Sequence, residues 1–352
     1  MANDVTIGIP VYRAEQYIAN TLNSALNQTY SNIDFLVIDD CSDDRSLEII
    51  QDFQQHHPRG KNIRIIHHEH NQGIGNTRNH LIDEAKTKYF FFLDADDTIS
   101  ENAIQLLHAH AEQYQAELVY GSHELIRFNN NVPTTTPKLY ENRKFLKPNE
   151  FSFYVYYLFK GIQAPVWNIL INLKWFRQTK LRFLPINYWE DFSLTLDLPC
   201  YSNRVVLLST ITYRYNIHMG SLSNTETKNE IMKTYIEKII GSIEHVKNNS
   251  DKIKEKPCFP GRMAKVMVID FYLICYILKN KHIIRPSFSN RELRNIMKSP
   301  LTFKETFFLK NKRIKNIFFY LLGVLPPFLS IYLIKTCNYY IRLIKSDNNL
   351  VQ

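Results

Sequence analysis

The sequence predicts an α/β fold in which a mostly parallel sheet is flanked by helices and followed by a C-terminal helical extension. Over roughly the first 125 residues, short apolar runs alternate with helix-like patterns, as expected where crossover helices connect parallel strands. The run from Tyr89 to Leu93 is apolar or aromatic at every position, which is typical of a strand buried on both faces. At 352 residues, the chain has room for two domains or for one domain with a large extension.

The elements follow in order along the chain. Predicted strands cover residues 5–11, 34–38, 63–67, 89–93 and 117–120. Between them, helix patterns cover residues 14–27, 43–56, 75–86 and 101–114. Ser42 is a suitable N-cap for the second helix, because Asp43 and Asp44 would follow it in the first turn. Farther on, the patterns predict a loop at 129–137, a linker at 248–261, and helices at 228–247, at 262–280 and after 290.

Charge is distributed unevenly along the chain. The net charge is +9, but residues 228–352 hold 23 Lys and Arg against 9 Asp and Glu, so the part before them is mildly acidic. A basic C-terminal part suits an anionic membrane or nucleic acid, or is simply a solvated basic face. Within it, residues 317–334 carry no charge, which approaches the roughly 20 residues that span a bilayer as a helix.

Tandem prolines predict a break in this uncharged stretch. Pro326 and Pro327 would divide it into segments at 312–325 and 328–345, which are flanked by basic residues and tyrosines. We therefore favour in-plane or re-entrant contact with a membrane, with a soluble core hairpin and a true span as the alternatives. Because aromatic and apolar side chains separate the charges here, we expect no nucleic-acid partner.

The cysteines and the N-terminal residues indicate the cellular compartment in which the protein works. The five cysteines are odd in number, and no pair has metal-ligand spacing. Residues 1–11 lead directly into a strand without a basic leader. Together these features predict a cytoplasmic protein, since disulfides are rare in a reducing compartment.

Carboxylates cluster at the predicted strand ends. Asp94 and Asp96 directly follow a buried strand, where a divalent cation such as Mn²⁺ or Mg²⁺ is their natural partner. Because ligands in open α/β sheets bind beyond the carboxyl ends of strands, a metal there could hold a nucleotide diphosphate. Asp39 and Asp40 end another strand, where they could accept hydrogen bonds from a base or a ribose, or cap a helix.

Two other positions lie near the same predicted edge. Pro10 and Tyr12 end the first strand and could lie beside a flat base, although ordinary strand-end chemistry explains them as well. Arg78 follows a loop with two glycines, which permit close approach of the backbone to a ligand. Its guanidinium could pair with phosphate or fix the carboxylates, although an arginine in the first turns of a helix is usually exposed.

Candidate acid–base residues lie farther along the chain. Glu190 and Asp191 precede an apolar run, so a helix beginning there would favour their ionised forms. An ionised carboxylate that faces a cleft is a candidate general base, and helix capping is the alternative. His218 is a lone histidine in a polar loop and becomes of interest only if the fold brings it to Asp96.

In this order, these segments resemble the family 2 glycosyltransferases of the GT-A fold over roughly residues 4–225. The resemblance is carried by PVYRAEQYI, VIDDCSDD, NQGIGNTRN, FFLDADD, PVWN at 165–168, YWED at 188–191 and YRYNIHMGSLS. Each motif is short and weak alone, whereas their ordered co-occurrence is specific. The resemblance implies a GT-A Rossmann-like sheet, a nucleotide-sugar donor of the UDP-sugar type and a divalent metal, Mn²⁺ or Mg²⁺.

The resemblance also implies roles for single residues. Asp94 and Asp96 match the DxD pair that binds ribose and the metal–diphosphate, and His218 matches a histidine that completes the metal site in some members. Asp191 matches the catalytic base, with Glu190 beside it, and would deprotonate an acceptor hydroxyl that attacks the anomeric carbon with inversion. From strand ends and resemblance together, the positions predicted to face the nucleotide-sugar are Pro10, Tyr12, Glu15, Asp39, Asp40, Arg78, Asp94 and Asp96.

Departures from the family pattern narrow the expected function. Ile169 stands where members often carry lysine, and the QxxRW motif and the transmembrane helices of processive polysaccharide synthases are missing, so we predict a single-addition transferase. We expect residues 1–125 to bind the nucleotide-sugar, 126–225 to form the acceptor side, and 226–352 to form a basic, aromatic helical extension. The acceptor would be a glycan or lipid-linked sugar of surface polysaccharide assembly, at the inner face of the cytoplasmic membrane.

Two other functions remain open from the sequence alone. A nucleotidyltransferase acting on sugar phosphates would also bind a nucleotide and a metal through acids. Its glycine-rich and basic phosphate loop near the first strand is missing here, which disfavours it. A non-catalytic nucleotide-binding module on a transferase fold would not need Asp94, Asp96 and Asp191 to be intact.

Overall fold

The computed structural model describes residues 3–129, 132–158, 165–186, 189–218, 230–308 and 313–348. The chain folds as two compact units. The first comprises Met1–Phe151 and Ile162–Thr227, and the second comprises Ser152–Gly161 and Lys228–Gln352. The three-part division of function at 125/126 and 225/226 stays a prediction.

One large sheet forms the centre of the first unit. Its strands are β1 (Val5–Val11), β2 (Ile33–Asp39), β3 (Ile63–His67), β4 (Tyr89–Phe92), β5 (Thr98–Ile99), β6 (Leu118–Asn129), β7 (Val132–Lys138), β8 (Arg143–Phe145), β9 (Ile169–Asn172) and β10 (Val205–Ile217). They lie in the order β3-β2-β1-β4-β9-β6-β10-β5, with β7 on β6 and β8 on β10. Since β1 runs parallel to β2 and β4, the carboxyl ends of these three strands share one edge.

Helices flank this sheet, and the predicted α/β class is confirmed. They are α1 (Ile18–Leu26), α2 (Ser46–His56), α3 (Ile74–Glu84), α4 (Ala103–Tyr114), α5 (Glu150–Tyr156), α6 (Leu173–Thr179) and α7 (Phe192–Tyr201), with α5 at the division between the units. Every residue of β1 is buried, and side chains such as Ile7, Leu22 and Phe91 form its core with α1 and β4. Burial on both faces explains the unbroken apolar runs of the sequence.

Two sequence predictions about local structure were wrong. Ser42 does not cap α2, which begins at Ser46, because its hydroxyl donates to Asp39 Oδ1 at 2.5 Å. The loop predicted at 129–137 is not seen in its described residues, since 132–137 belong to β7, which pairs antiparallel with β6. Pro133 and Pro137 are tolerated there because β6 is the one strand that pairs with β7 among the described residues.

The second unit is mainly helical, as predicted for the C-terminal part. Its helices are α8 (Lys233–Asn248), α9 (Phe259–Lys279), α10 (Asn290–Ile296), α11 (Phe303–Phe308), α12 (Arg313–Val324) and α13 (Pro327–Asn348). Two short strands, β11 (Ile231–Met232) and β12 (Ile284–Arg285), pair in parallel. The core also buries an ion pair, in which Lys247 Nζ lies 2.7 Å from Asp270 Oδ2. Lys247 donates as well to the carbonyl of Ile296 at 2.7 Å.

The tandem prolines interrupt the helix where the sequence predicts a break. The helix α12 ends at Val324, and α13 begins at Pro327. Ser330 then joins the two helices, because its hydroxyl donates to the carbonyl of Leu322 at 2.7 Å. In the part of the chain that the structure describes, none of the helices combines the length and apolarity needed to cross a membrane.

Candidate functional site

The loop after β4 is held rigidly by contacts from two directions. From one side, the hydroxyl of Thr21 donates to the carbonyls of Ala95 and Asp97, both at 2.8 Å. From the other, Asp97 Oδ2 accepts from the Tyr213 hydroxyl at 2.7 Å and Oδ1 from the backbone N–H of Asn216 at 2.8 Å. Burial raises the pKa of Asp97 well above its ordinary value, and the charges of Asp96 and Asp94 add to this effect. Asp97 therefore fixes this loop against β10, a role that the sequence did not reveal.

The fold brings His218 to Asp96. His218 follows β10 directly, and its Nε2 lies 2.8 Å from Asp96 Oδ2. The ring of Tyr17 stacks on the imidazole, with centroids 4.3 Å apart and planes inclined by 20°. The condition that made His218 a candidate is thus met. Tyr17 was missed, since nothing in the sequence connects the start of the chain with this histidine.

A buried arginine connects the loop after β4 with the segment before α7. Arg78, in α3, is 5% exposed, and its Nη2 lies 2.7 Å from Asp94 Oδ1. Its Nη1 donates to Glu190 Oε1. Burial disfavours the charge of Arg78, but Asp94, Glu190 and Asp191 outweigh burial and raise its pKa. Of the two roles considered for Arg78, these contacts match the one in which it fixes carboxylates.

Asp191 lies at the N-terminus of α7, directly before Phe192. Burial raises its pKa to about 7, the neighbouring charge of Glu190 raises it too, and Arg78 opposes both. A carboxylate of this kind exchanges its proton near neutral pH, which suits a general base. Glu190 is buried and its carboxylate contacts Arg78, so the two adjacent acids have different surroundings.

Asp39 is the last residue of β2, Asp40 follows it, and both are buried. Asp39 Oδ2 lies 2.7 Å from His67 Nδ1, and its Oδ1 accepts from Ser42. Asp40 Oδ1 lies 2.6 Å from His68 Nδ1 and accepts from the N–H of Gln72 at 2.8 Å, while its Oδ2 accepts from the N–H of Gly73 at 2.8 Å. Asp40 thus holds the loop that enters α3, and direct contact of either acid with a nucleotide stays a prediction.

The remaining predicted positions lie around the end of β1. Pro10 is buried within β1, and Tyr12 follows the strand with 45% of its surface exposed. Glu15 is exposed, and its carboxylate accepts from the backbone N–H of Arg45 at 3.0 Å, next to the start of α2. The exposed ring of Tyr12 is therefore accessible to a ligand, and nucleotide contact by these three residues stays a prediction.

Gly73 and Gly75 meet backbone requirements of the protein itself. Gly73 has a φ of 84°, a conformation that suits glycine at the start of α3. A Cβ added at Gly75 would lie 1.9 Å from the carbonyl oxygen of Leu184. The close approach that the sequence suggested at Gly75 is thus made to a protein segment, and this segment leads to Glu190.

Comparison with known proteins shows the relationships of the chain. Residues 6–170 match the family model described as Glycosyl transferase family 2. Glycosyltransferase GlyA of Streptococcus pneumoniae is 30% identical over 231 residues, which are 64% of this chain and 32% of GlyA. A processive diacylglycerol beta-glycosyltransferase of Mycoplasma pneumoniae is 24% identical over 239 residues, which are 65% of this chain and 68% of that protein. The chain therefore spans about a third of the length of GlyA.

The fold also matches solved structures. A crystal structure of S. aureus TarS 1–349 in complex with UDP-GlcNAc has a TM-score of 0.63 and 16% identity to this chain. The match covers 91% of this chain and 90% of that one. At this identity the likeness shows the fold, and it confirms the architecture predicted from the ordered motifs.

Proposed function

Because residues 6–170 match the model of glycosyl transferase family 2 and the fold is of the GT-A type, we propose that this chain is an inverting glycosyltransferase. It moves a sugar from a nucleotide-sugar to a hydroxyl group of a glycan or lipid-linked acceptor. The donor we propose is a UDP-sugar, because TarS, which shares the fold, was crystallised in complex with UDP-GlcNAc.

The observation that carries this proposal is the pair of contacts made by Arg78. Its guanidinium contacts Asp94, at the end of the strand expected to bind the donor, and Glu190, directly before the expected base. Two motifs that are distant in sequence thereby lie within one side chain's length of each other. Sugar transfer requires the donor site and the base to lie this close together, since the acceptor oxygen must approach the anomeric carbon of the donor sugar.

Asp191 is the proposed general base. Its ionised carboxylate takes the proton from the acceptor hydroxyl, whose oxygen attacks the anomeric carbon. The bond from that carbon to the diphosphate oxygen breaks at the same time, so the configuration inverts and the nucleoside diphosphate leaves. Arg78 favours the ionised carboxylate, because its positive charge lowers the pKa of Asp191. Burial and the charge of Glu190 act in the opposite direction and raise this pKa.

We also propose that Asp96 and His218 hold a divalent cation, Mn²⁺ or Mg²⁺. A carboxylate oxygen and an imidazole nitrogen 2.8 Å apart are a donor pair that Mn²⁺ accepts. Among the described residues, no group of three His, Cys, Asp or Glu side chains could hold a metal ion alone. The pair therefore fits a cation whose other ligands come from diphosphate or water. When bound, the cation would stabilise the negative charge of the departing diphosphate.

For the acceptor and the location, we propose a lipid-linked sugar at the inner face of the cytoplasmic membrane, contacted peripherally by the C-terminal region. Support comes from the basic C-terminal part and from the relative in Mycoplasma pneumoniae, whose name states that it acts on diacylglycerol. A place in surface polysaccharide assembly is consistent with a 25% identical relative, the teichoic acid poly(glycerol phosphate) polymerase of Staphylococcus epidermidis.

The base assignment is tested with Asp191→Asn. We expect a panel of UDP-sugars with Mn²⁺ to show release of UDP from one sugar, faster with a membrane lipid extract as acceptor source. In Asp191→Asn this turnover should fall by roughly 10²–10⁴-fold while UDP affinity is retained. Asp52→Asn, which changes an exposed carboxylate on α2, is the control and should keep its turnover. Full turnover in Asp191→Asn would remove this residue from the mechanism.

The same assay separates the two alternative functions. Turnover that requires pyrophosphate would indicate a nucleotidyltransferase acting on sugar phosphates. Nucleotide binding without turnover on any sugar, with acceptor present, would indicate a binding module on a transferase fold.

The metal proposal has a test that does not depend on activity. Mn²⁺ binding in the presence of UDP, followed by electron paramagnetic resonance, should weaken by at least about tenfold in Asp96→Asn and in His218→Ala. Asp52→Asn, which changes an exposed carboxylate on α2, should bind Mn²⁺ as the parent protein does. Equal binding in all four proteins would show that the cation is held elsewhere.

A further inference from the structure

Exposed apolar side chains are concentrated in one stretch of the second unit. Across the described residues, fifteen large hydrophobic side chains are exposed, and eight of them lie between 303 and 332. Ile314, Phe328 and Tyr332 are the most exposed of these, at 86%, 70% and 65%. Scattered apolar side chains are ordinary on a protein surface, but such a concentration marks a surface that meets an apolar partner.

On α12 these side chains form a single stripe. Ile314, Phe318, Leu321 and Val324 recur at intervals of four and three residues, so they lie on one side of the helix. Phe318 is partly buried, and the other three are exposed. The opposite side is buried through Asn316, Phe319, Leu322 and Gly323. This outer stripe is apolar where a helix at a water-exposed surface would be polar.

The neighbouring helices also expose apolar side chains. Phe328 and Tyr332 are four residues apart on α13 and both exposed, whereas Ser330, Ile331 and Ile334 are buried. The helix α11 adds three exposed phenylalanines, and its Phe303 ring lies 5.7 Å from the ring of Tyr320 in α12. We call the exposed apolar side chains of α11, α12 and α13 together the apolar face.

Basic side chains border the apolar face. The guanidinium of Arg313 lies 5.0 Å from the ring of Phe307, and Arg313 and Lys315 line one surface cavity together with Ile314 and Phe318 of the outer stripe. The sequence from 303 to 348 contains eight Lys and Arg but two Asp and Glu. One of these acids, Glu305, is paired with Lys254 at 3.0 Å. The sequence that forms the apolar face and its neighbourhood is therefore strongly basic.

We propose that the apolar face docks the protein on an anionic lipid bilayer. Aromatic and aliphatic side chains enter the boundary between headgroups and acyl chains, while the basic side chains contact anionic headgroups. The choice of the inner membrane leaflet rests on the proposed function, in which a lipid-linked acceptor lies in that bilayer. A second copy of the chain is a poorer occupant, because a symmetric contact would bring the two basic borders together.

Vesicle sedimentation of the full chain, without nucleotide or acceptor, tests the proposal. We expect binding to vesicles of phosphatidylcholine mixed with phosphatidylglycerol, and weaker binding to phosphatidylcholine alone. The double variant Ile314→Ser/Phe328→Ser should lower the partition coefficient by at least about tenfold, since two apolar side chains leave the lipid. Both side chains are exposed, so the fold should persist, as circular dichroism would verify.

A matched control uses exposed side chains outside the apolar face. Leu139 and Phe153 are 62% and 53% exposed, and Leu139→Ser/Phe153→Ser should bind vesicles as the parent protein does. Arg313→Gln/Lys315→Gln should lose most of the preference for anionic vesicles. Parent-like binding by the Ile314→Ser/Phe328→Ser variant would overturn the proposal. A dimer of the parent chain that this variant abolishes would assign the face to a second copy instead.

Sugar transfer to the membrane lipid extract dispersed in detergent, measured separately, distinguishes the two proposals. Vesicle binding without any transfer would contradict the proposed function and leave the docking surface in place. Transfer by a protein that ignores vesicles would contradict docking alone.

Discussion

Arg78 is the residue at which two distant motifs meet, and its partners decide its chemistry. It is buried between Asp94 and Glu190, so its charge is compensated by two carboxylates before any ligand binds. Such a pair of contacts fixes geometry more than it adds net stability, because burying charges offsets much of their attraction. We therefore regard Arg78 as a positioning residue that also sets the pKa of Asp191.

The pH dependence of transfer follows from the surroundings of Asp191. A base with a pKa of about 7 must lose its proton, so kcat/KM should rise as the pH increases through about 7. Glu190→Gln removes a charge that raises this pKa, so the rising limb should move to lower pH by about one unit. Arg78→Gln removes the opposing charge, so the limb should move to higher pH.

The measurement is a pH–rate profile of the purified variants with one active donor. Asp52→Asn, an exposed change on α2, is the control and should leave the rising limb in place. Shifts of the same sign for Glu190→Gln and Arg78→Gln would show that Asp191 is not the titrating group.

Single residues differ in how far the sequence could reveal them. Asp94, Asp96, Glu190 and Asp191 stand in motifs beside apolar runs, so local pattern was enough to select them. Asp97 was visible as a carboxylate, but its partners lie on β10, more than a hundred residues away. Contacts of that kind depend on strand order and register, which local pattern does not contain.

At the scale of elements, α3 carries the segment that leads to the candidate base. The side chain of Asn79 bonds the backbone of Phe183 through both its amide and its carbonyl, each at 3.0 Å. The N–H of Leu184 in turn donates to the carbonyl of Glu190 at 3.1 Å. A shift of this segment relative to α3 would therefore displace Glu190 and Asp191 together.

Gly75→Ala tests this coupling. The added Cβ would lie 1.9 Å from the carbonyl oxygen of Leu184, so the backbone must move. We expect kcat to fall by at least about tenfold, with a smaller change in UDP affinity, because misplacement affects the reacting geometry most.

Gly241→Ala is the matched control for this substitution. Nothing lies within 4 Å of a Cβ at Gly241, which is in the interior of α8. It should leave kcat unchanged and stabilise the protein by about 0.5–1 kcal/mol in urea denaturation. A Gly75→Ala enzyme with unchanged kcat would show that the segment yields without moving the candidate base.

Element bounds were predicted best for short strands of the parallel part of the sheet. The strands β1 and β3 have the predicted bounds, although β1 is buried throughout and most of β3 is at least partly exposed. The strand β7 was missed because its prolines and threonines resemble a loop. An edge strand tolerates such residues, and nothing in the sequence shows that β6 continues far enough to pair with it.

At the scale of the whole molecule, the chain combines a unit built on a sheet with a helical unit of opposite charge tendency. The first unit carries the acidic strand ends and most of the segment that matches the glycosyl transferase family 2 model, and the second carries the basic helices and the apolar face. The distribution of charged and apolar residues along the sequence predicted this difference between the N-terminal and C-terminal parts. It did not predict which side chains of α11, α12 and α13 are exposed, because that depends on how the helices pack.

The second unit should lose stability as the pH rises. Burial raises the pKa of Asp270 to about 7, with Lys247 opposing the shift. In the unfolded chain its pKa is about 3.9, so this contribution to stability is fully present below about pH 4 and is lost as the pH rises through about 7. Denaturant unfolding at several pH values should therefore show a steeper decline for the parent protein than for Asp270→Asn.

Three variants test whether this pH dependence comes from Asp270 and its pairing with Lys247. Asp270→Asn removes the titrating group but leaves Lys247 buried, with the Ile296 carbonyl as a remaining acceptor, so the variant should be less stable at every pH. Lys247→Met/Asp270→Leu removes both charges and should be nearly as stable as the parent protein while losing the same pH dependence. Asp251→Asn changes an exposed acid of the same unit and should follow the parent curve. Equal slopes for all four proteins would mean that Asp270 ionises in the folded chain as it does in the unfolded one, with the charge of Lys247 offsetting the effect of burial.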